Sequence, residues 1–220
     1  MLEFTNESRN VEIVKDRLYF VNDSDENLVE YDLELLDEFI KEKMDYNPRT
    51  LTDSPVSDFY VEDTKSVWVL SPDGDLKKLK SLLRISFSNQ EYKVVEEEYP
   101  NLYFTCISGS KKWAVTAAHD SKSNFMAFHL FSTSTLDLQS HIWLTPAKAA
   151  PCASPQVRGG ASSYHIHNMK MITHARVPYV IACSYQSALH LLAIVNKRLV
   201  RLHANWQPFD ENDCSSLYII

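Results

Sequence analysis

Three groups of residues in this sequence have the types and spacing that chemistry uses. His165 and His167 alternate along an extended stretch, with His174 nearby, so the first two face one side of a strand, and two imidazoles on one face begin a zinc site. Spacing does not fix a third and fourth ligand; Cys152 and Cys183 are the candidates. Structural or surface histidines are the plainer account, and no metal ligand is assigned. Asp23, Asp25, Asn27 and Glu34 fall at positions 1, 3, 5 and 12 of a loop whose hard oxygens suit calcium. Leu28 stands where that loop needs glycine for its sharp turn, and Glu30 where it needs an apolar residue, so an acidic hairpin turn is expected instead. Ser108-Gly-Ser-Lys-Lys112 holds the residue types of a phosphate cradle without its spacing.

The string Trp113-Ala-Val-Thr-Ala-Ala-His119 looks like the segment around the catalytic histidine of trypsin-like serine proteases. That histidine works only beside a nucleophile and an orienting carboxylate. Here Asp120 replaces the family's cysteine, and no Gly-Asp-Ser-Gly-Gly follows; Arg158-Gly-Gly-Ala-Ser-Ser163 is a poor substitute. The 101 residues after His119 are also short for a second barrel. A strand ending in a loop histidine explains the string. No catalytic or cofactor-binding residue is assigned, and the chain reads as a non-enzyme.

These residues sit on a chain of short extended segments. Val11–Val21 alternates as a strand, Asn22–Asn27 is a polar turn, and Leu28–Asp32 is a second strand. Val29, Leu33, Leu36, Ile40 and Met44 then recur at helical steps, predicting a short helix near 33–45 ended by Asn47-Pro48. Residues 56–61 and 66–70 read as strands, the second followed by the tight turn Ser71-Pro-Asp-Gly74, and 75–83 leads away as the last of three strands. Strands at 102–107, 113–118, 125–131 and 140–144 form another group, and 165–172, 179–184, 189–195 and 198–203 a further one. Between them, 145–163 is a surface loop rich in Ala, Pro, Gly and Ser, and Ser216–Ile220 begins another apolar strand.

Groups of short strands recurring every 40–50 residues or so are the mark of propeller blades. First strands start near 57, 102, 165 and 215. Phe59-Tyr-Val-Glu-Asp-Thr-Lys-Ser-Val-Trp-Val-Leu-Ser-Pro-Asp-Gly-Asp-Leu76 resembles the inner hairpin of a WD-repeat blade, and Arg17–Leu33 resembles the same element in a divergent one. The resemblance covers most of the chain in rhythm and few positions in identity. The family's Gly-His and Trp-Asp dipeptides are absent, only four glycines occur, and the helix near 33–45 does not belong in a standard blade. The resemblance implies a mainly β chain: a partial or divergent β-propeller of four-stranded antiparallel blades near 11–45, 56–85, 101–144 and 164–204. A further blade would start at 215, so that the domain spanning 1–220 is incomplete at its C-terminus.

Composition bounds the function. The chain is 45% hydrophobic and 11% aromatic, ample for a core. No apolar run reaches the roughly 18 residues of a membrane span, and Met1-Leu-Glu-Phe-Thr-Asn-Glu-Ser8 is no secretory signal. An intracellular chain, cytoplasmic or nuclear, is therefore expected, with the sequons at Asn6 and Asn22 unglycosylated. Cys106, Cys152, Cys183 and Cys214 lie far apart without a CxxC pair, so neither a disulfide scaffold nor a zinc ribbon is expected; the first three read as buried thiols. Residues 1–100 carry 24 acidic against 12 basic residues, and 101–220 carry 5 against 10 together with all eight histidines. That balance disfavours direct nucleic-acid binding; it suits the two halves to meet each other or to orient a partner of opposite charge, with a solvated surface as the plainer account. Trp68 and Trp113 are expected in the core, while Trp143 and Trp206, near loops, are candidate anchors for a partner. Strands too few to seal a ring, with loops and an acidic first half, point to a protein-interaction scaffold within a larger complex. The alternatives are a metal-binding or enzymatic β-domain using the His-rich second half, or an accessory subunit of a nucleic-acid-modifying complex.

Overall fold

A computed structural model describes residues 11–22, 24–42, 48–80, 91–94, 102–120, 125–144, 166–184 and 189–205. The chain divides into two compact units, Met1–Glu98 and Tyr99–Ile220. Each unit holds two four-stranded antiparallel sheets in which every strand pairs with its neighbour in sequence. This is the strand order of propeller blades, and the fold is the mainly β, divergent propeller-blade build that the sequence predicts.

The first sheet comprises β1 (Val11–Val14), β2 (Arg17–Val21), β3 (Leu28–Asp32) and β4 (Arg49–Thr50), with the helix α1 (Leu33–Glu42) between β3 and β4. The single strand read over 11–21 is in fact a hairpin broken at Lys15-Asp16, with Val14 opposite Arg17. Lys15 takes a left-handed φ of 58°, a turn that no glycine or proline announces. The helix starts where Asp32 caps it: its Oδ1 accepts the backbone N–H groups of Glu34 and Leu35 at 3.1 and 3.2 Å. Glu34 in the first turn and Lys41 in the last suit the helix dipole. A helix did not suit the standard blade read from sequence; the blade carries it as an insertion before its last strand. The expected helix face is only partly used, since Leu33 and Leu36 are half-buried and Ile40 is exposed.

The second sheet comprises β5 (Asp58–Asp63), β6 (Ser66–Leu70), β7 (Leu76–Lys80) and β8 (Glu91–Val94). The sequence reading has three strands here, because Glu91-Tyr-Lys-Val94 is short and half charged; the ladder to β7 makes it the fourth. Gly74 (φ 85°) closes the β6–β7 turn, its N–H donating to the Ser71 carbonyl at 3.0 Å. Tyr19, Leu28, Leu51, Val56, Phe59, Val61, Val67 and Val69 form the core between the first two sheets. Across it the Val61 N–H donates to Glu12 Oε2 at 2.8 Å.

The second unit is more regular. Its third sheet comprises β9 (Leu102–Gly109), β10 (Trp113–Asp120), β11 (Phe125–Ser132) and β12 (Leu138–Leu144). The fourth comprises β13 (Ile166–His174), β14 (Val177–Ser184), β15 (Leu189–Val195) and β16 (Arg198–Asn205). Period-2 alternation gives each sheet an apolar face toward the other. Val115, Ala117, Met126, Phe128 and Leu130 meet Met169, Met171, Val180, Leu192 and Ile194 in one core, with Trp113 packed at its margin. Two serines stitch the sheets together. Ser108 Oγ, buried, accepts the Met171 N–H at 2.8 Å, and Ser140 Oγ accepts the Leu199 N–H at 3.2 Å.

The scarcity of glycine has a structural counterpart. Lys15, Glu26, Leu136, Ala175, Arg176, Asn196 and Lys197 all adopt left-handed φ values between 47° and 66°. The β13–β14 and β15–β16 turns each place two such residues in succession, the conformation that hairpins usually fill with Asn-Gly.

Candidate interaction surface

Each sheet buries an acidic, basic or imidazole side chain on its third strand: Glu30 on β3, Lys78 on β7, His129 on β11 and His190 on β15. Opposite each on the second strand stands a fully buried residue: Tyr19, Trp68, Thr116 and Ala182 respectively. In the first unit these groups are held by charge. Glu30 Oε1 lies 3.2 Å from Arg17 Nη1 and 3.4 Å from Arg49 Nη2, while Arg17 Nη2 also reaches Asp32 Oδ2 at 2.8 Å. Burial, and then the Glu30 charge, push the Tyr19 hydroxyl far above the ordinary phenol range. Lys78 Nζ lies 2.5 Å from Glu62 Oε2 and 5.4 Å from the Trp68 ring centroid, and Trp68 Nε1–H donates to the same carboxylate oxygen at 3.2 Å. In the second unit the groups are held by rings. His129 stacks on His141 at 6.2 Å and meets Phe104 edge-on at 6.4 Å. His190 meets Phe128 edge-on at 5.7 Å, and burial, with a smaller contribution from Arg201, lowers its pKa to about 4. Periodicity alone does not single out these four groups, because one polar residue in an apolar strand reads as noise.

The ring contacts continue outward to the surface. His141 packs edge-on against Trp143 at 5.4 Å, and Trp143 is 37% exposed on β12, an edge strand of the third sheet. Its carbonyl accepts a hydrogen bond from Arg201 Nη2 on β16 at 2.9 Å, and the Ser140–Leu199 bond lies three residues before it. A partly exposed indole thus packs against the ring of His141 on its own strand, which stacks in turn on His129, while Arg201 of the neighbouring sheet anchors the backbone that carries it. Such a rigid aromatic group, apolar in body with one N–H donor, suits a protein partner.

The other residues singled out in sequence fall as follows. His119 lies within β10, one residue before its end and opposite Tyr103 and Met126, so it is a strand residue rather than a loop one. Asp25 and Asn27 serve their own turn: Asp25 Oδ1 accepts the Asn27 N–H at 3.3 Å, and Asp25 Oδ2 accepts the Asn27 side-chain amide at 3.1 Å. Glu34 belongs to α1, and Asp23 lies outside the described residues. His174 ends β13 and is exposed, and His167 is the extra residue of a bulge opposite Cys183 and Ser184. The side chain of His167, and all of His165, Cys152, Cys214, Trp206, the 145–163 loop and the 216–220 strand, lie outside the described residues. Cys106 and Cys183 are buried, as expected. Ser108 is a cross-sheet acceptor, and Trp68 is fully buried. Among the described residues no three His, Cys, Asp or Glu side chains are grouped to hold a metal ion, and no helix is long and apolar enough to cross a membrane.

No family model matches the chain, and no curated protein matches it. Solved structures do. The chain is similar to the N-terminal domain of Nup159 (14% identity, TM-score 0.47, covering 87% of this chain and 46% of that one). It is similar to human WBSCR16 (9%, 0.49, 92% and 55%) and to the RRP9 WD40 repeats (10%, 0.45, 88% and 64%). It spans about half the length of the first two. The blade assignment rests on the sheet order and registers themselves.

Proposed function

We propose that the four sheets are blades of one propeller-like domain that serves as a non-catalytic protein-interaction scaffold, a subunit of a larger intracellular complex. The observation that carries this reading is the exposed Trp143, its ring packed against His141 and its backbone carbonyl bonded by Arg201 of the adjoining sheet. An aromatic group immobilised before binding loses little rotamer freedom when a partner covers it. The acidic first hundred residues and the basic remainder add charge by which partners of either sign are steered.

The test is affinity capture of the full chain from its native source, with Trp143→Ala and Trp143→Phe run in parallel. The reading expects a defined set of proteins held by the wild-type chain and by the Phe variant and lost from the Ala variant. Capture of no protein by the wild type, or equal capture by all three, would overturn it.

A further inference from the structure

A second surface of the chain carries its own complement. Leu35 and Ile40 are exposed on α1, Ile40 at 63%. Around them stand Glu34, Asp37, Glu38 and Glu42, all exposed, against the single cation Lys41. The β15–β16 hairpin is the counterpart. Val195, Val200 and Leu202 are exposed there, the last two at 41% and 51%, beside the turn residue Lys197 and Arg198, with Arg201 half-buried on the same strand. Val200 lies on the face of the fourth sheet opposite its core, because its neighbour Leu199 points into that core.

The charge contrast extends beyond the two patches. Residues 11–50, which hold the first sheet and α1, carry twelve acidic against five basic residues. Residues 166–205, which hold the fourth sheet, carry five basic residues and no acidic one. An apolar acidic helix and an apolar basic hairpin, both exposed on one sequence, have the complementarity that a heterologous contact requires.

We propose that α1 of one copy docks on the β15–β16 hairpin of a second copy of this chain. The apolar residues supply the buried centre of the contact, and the opposed charges set its orientation and its dependence on salt. Because the two patches differ, the contact closes into a ring of copies or extends as a chain, according to the rotation between them.

The experiment is light scattering on the purified full chain from about 1 to 100 µM, with no other protein present, so that it succeeds or fails independently of the Trp143 capture. The wild type is expected to gain mass with concentration and to lose it in about 0.5 M salt. Lys197→Glu with Arg198→Glu, and separately Ile40→Asp, are each expected to weaken association at least about tenfold. All three positions are exposed, and circular dichroism checks that the strands persist. Adding Glu38→Lys and Glu42→Lys to the hairpin double variant restores opposite signs and is expected to restore association. A monomer at every concentration overturns the proposal. So does association that survives the reversals, or a charge swap that fails to rescue it.

Discussion

Lys78 Nζ and Glu62 Oε2 lie 2.5 Å apart, with the Lys78 side chain only 5% exposed and the indole N–H of Trp68 donating to the same oxygen. The ammonium also faces the Trp68 ring, so one carboxylate and one ring together compensate a cation that burial would otherwise expel.

Removing one member of such a buried pair strands the other. Lys78→Ala is therefore expected to destabilise the first unit by roughly 3 kcal/mol. Lys78→Met, which keeps the apolar stem over the indole, is expected to lose less when Glu62→Gln accompanies it. Urea denaturation followed by tryptophan fluorescence measures both. A loss below about 1 kcal/mol for Lys78→Ala would show that the pair is worth no more than an exposed one.

Ser108 acts differently, as a single acceptor for a backbone donor on the opposite sheet. Ser108→Ala leaves the Met171 N–H without that acceptor in a buried setting, and the expected loss is about 1–3 kcal/mol. Hydrogen exchange gives the sharper readout. Protection of the Met171 amide should fall more than that of Val180, which lies opposite it on β14. Equal loss at both would mean that the whole sheet had loosened and that the serine had no local role.

How much of this was legible in the sequence depended on how each feature is encoded. The third and fourth sheets were readable because each strand repeats β-branched and aromatic residues over seven to nine positions between polar turns. The helix was readable from its 3.6-residue spacing, although Ile40 faces solvent, because spacing shows that a stripe exists and not what covers it. The Lys15-Asp16 hairpin was hidden because an ordinary residue takes the left-handed conformation there. The strand β8 was hidden because four half-charged residues carry too little pattern; the ladder to β7 defines it. Trp143 was legible as an aromatic residue near a loop. Its support was not: His141, two residues earlier on β12, stacks on His129 of the paired strand, and Arg201 reaches the Trp143 carbonyl from a separate sheet.

The turn Ala175-Arg176 gives a direct test of the glycine-poor hairpins. Both residues hold positive φ, at 47° and 66°, where a Cβ crowds the following carbonyl and costs roughly 1–2 kcal/mol per residue. Replacing the pair with Asn-Gly suits the same geometry and is expected to stabilise the second unit by about 1 kcal/mol, raising its thermal midpoint by several degrees. An unchanged or lower midpoint would mean that the wild-type side chains make contacts that offset the strain.

His190 makes the stability of the second unit depend on pH, with a definite sign. Its pKa in the folded chain is about 4, below the ordinary 6.5, chiefly because burial disfavours the imidazolium and secondarily because Arg201 repels it. Between those two values the unfolded chain binds the proton and the folded chain does not, so stability rises with pH across that interval. The stability is fully present above about pH 6.5 and is lost progressively as pH falls toward 4, by as much as about 3 kcal/mol. His190→Phe removes the titrating group and keeps a ring against Phe128, so its unfolding free energy should vary less over this range. Urea titrations of both proteins at intervals from about pH 4 to 7.5 separate the cases. Parallel curves for wild type and variant would show that His190 is not the group responsible.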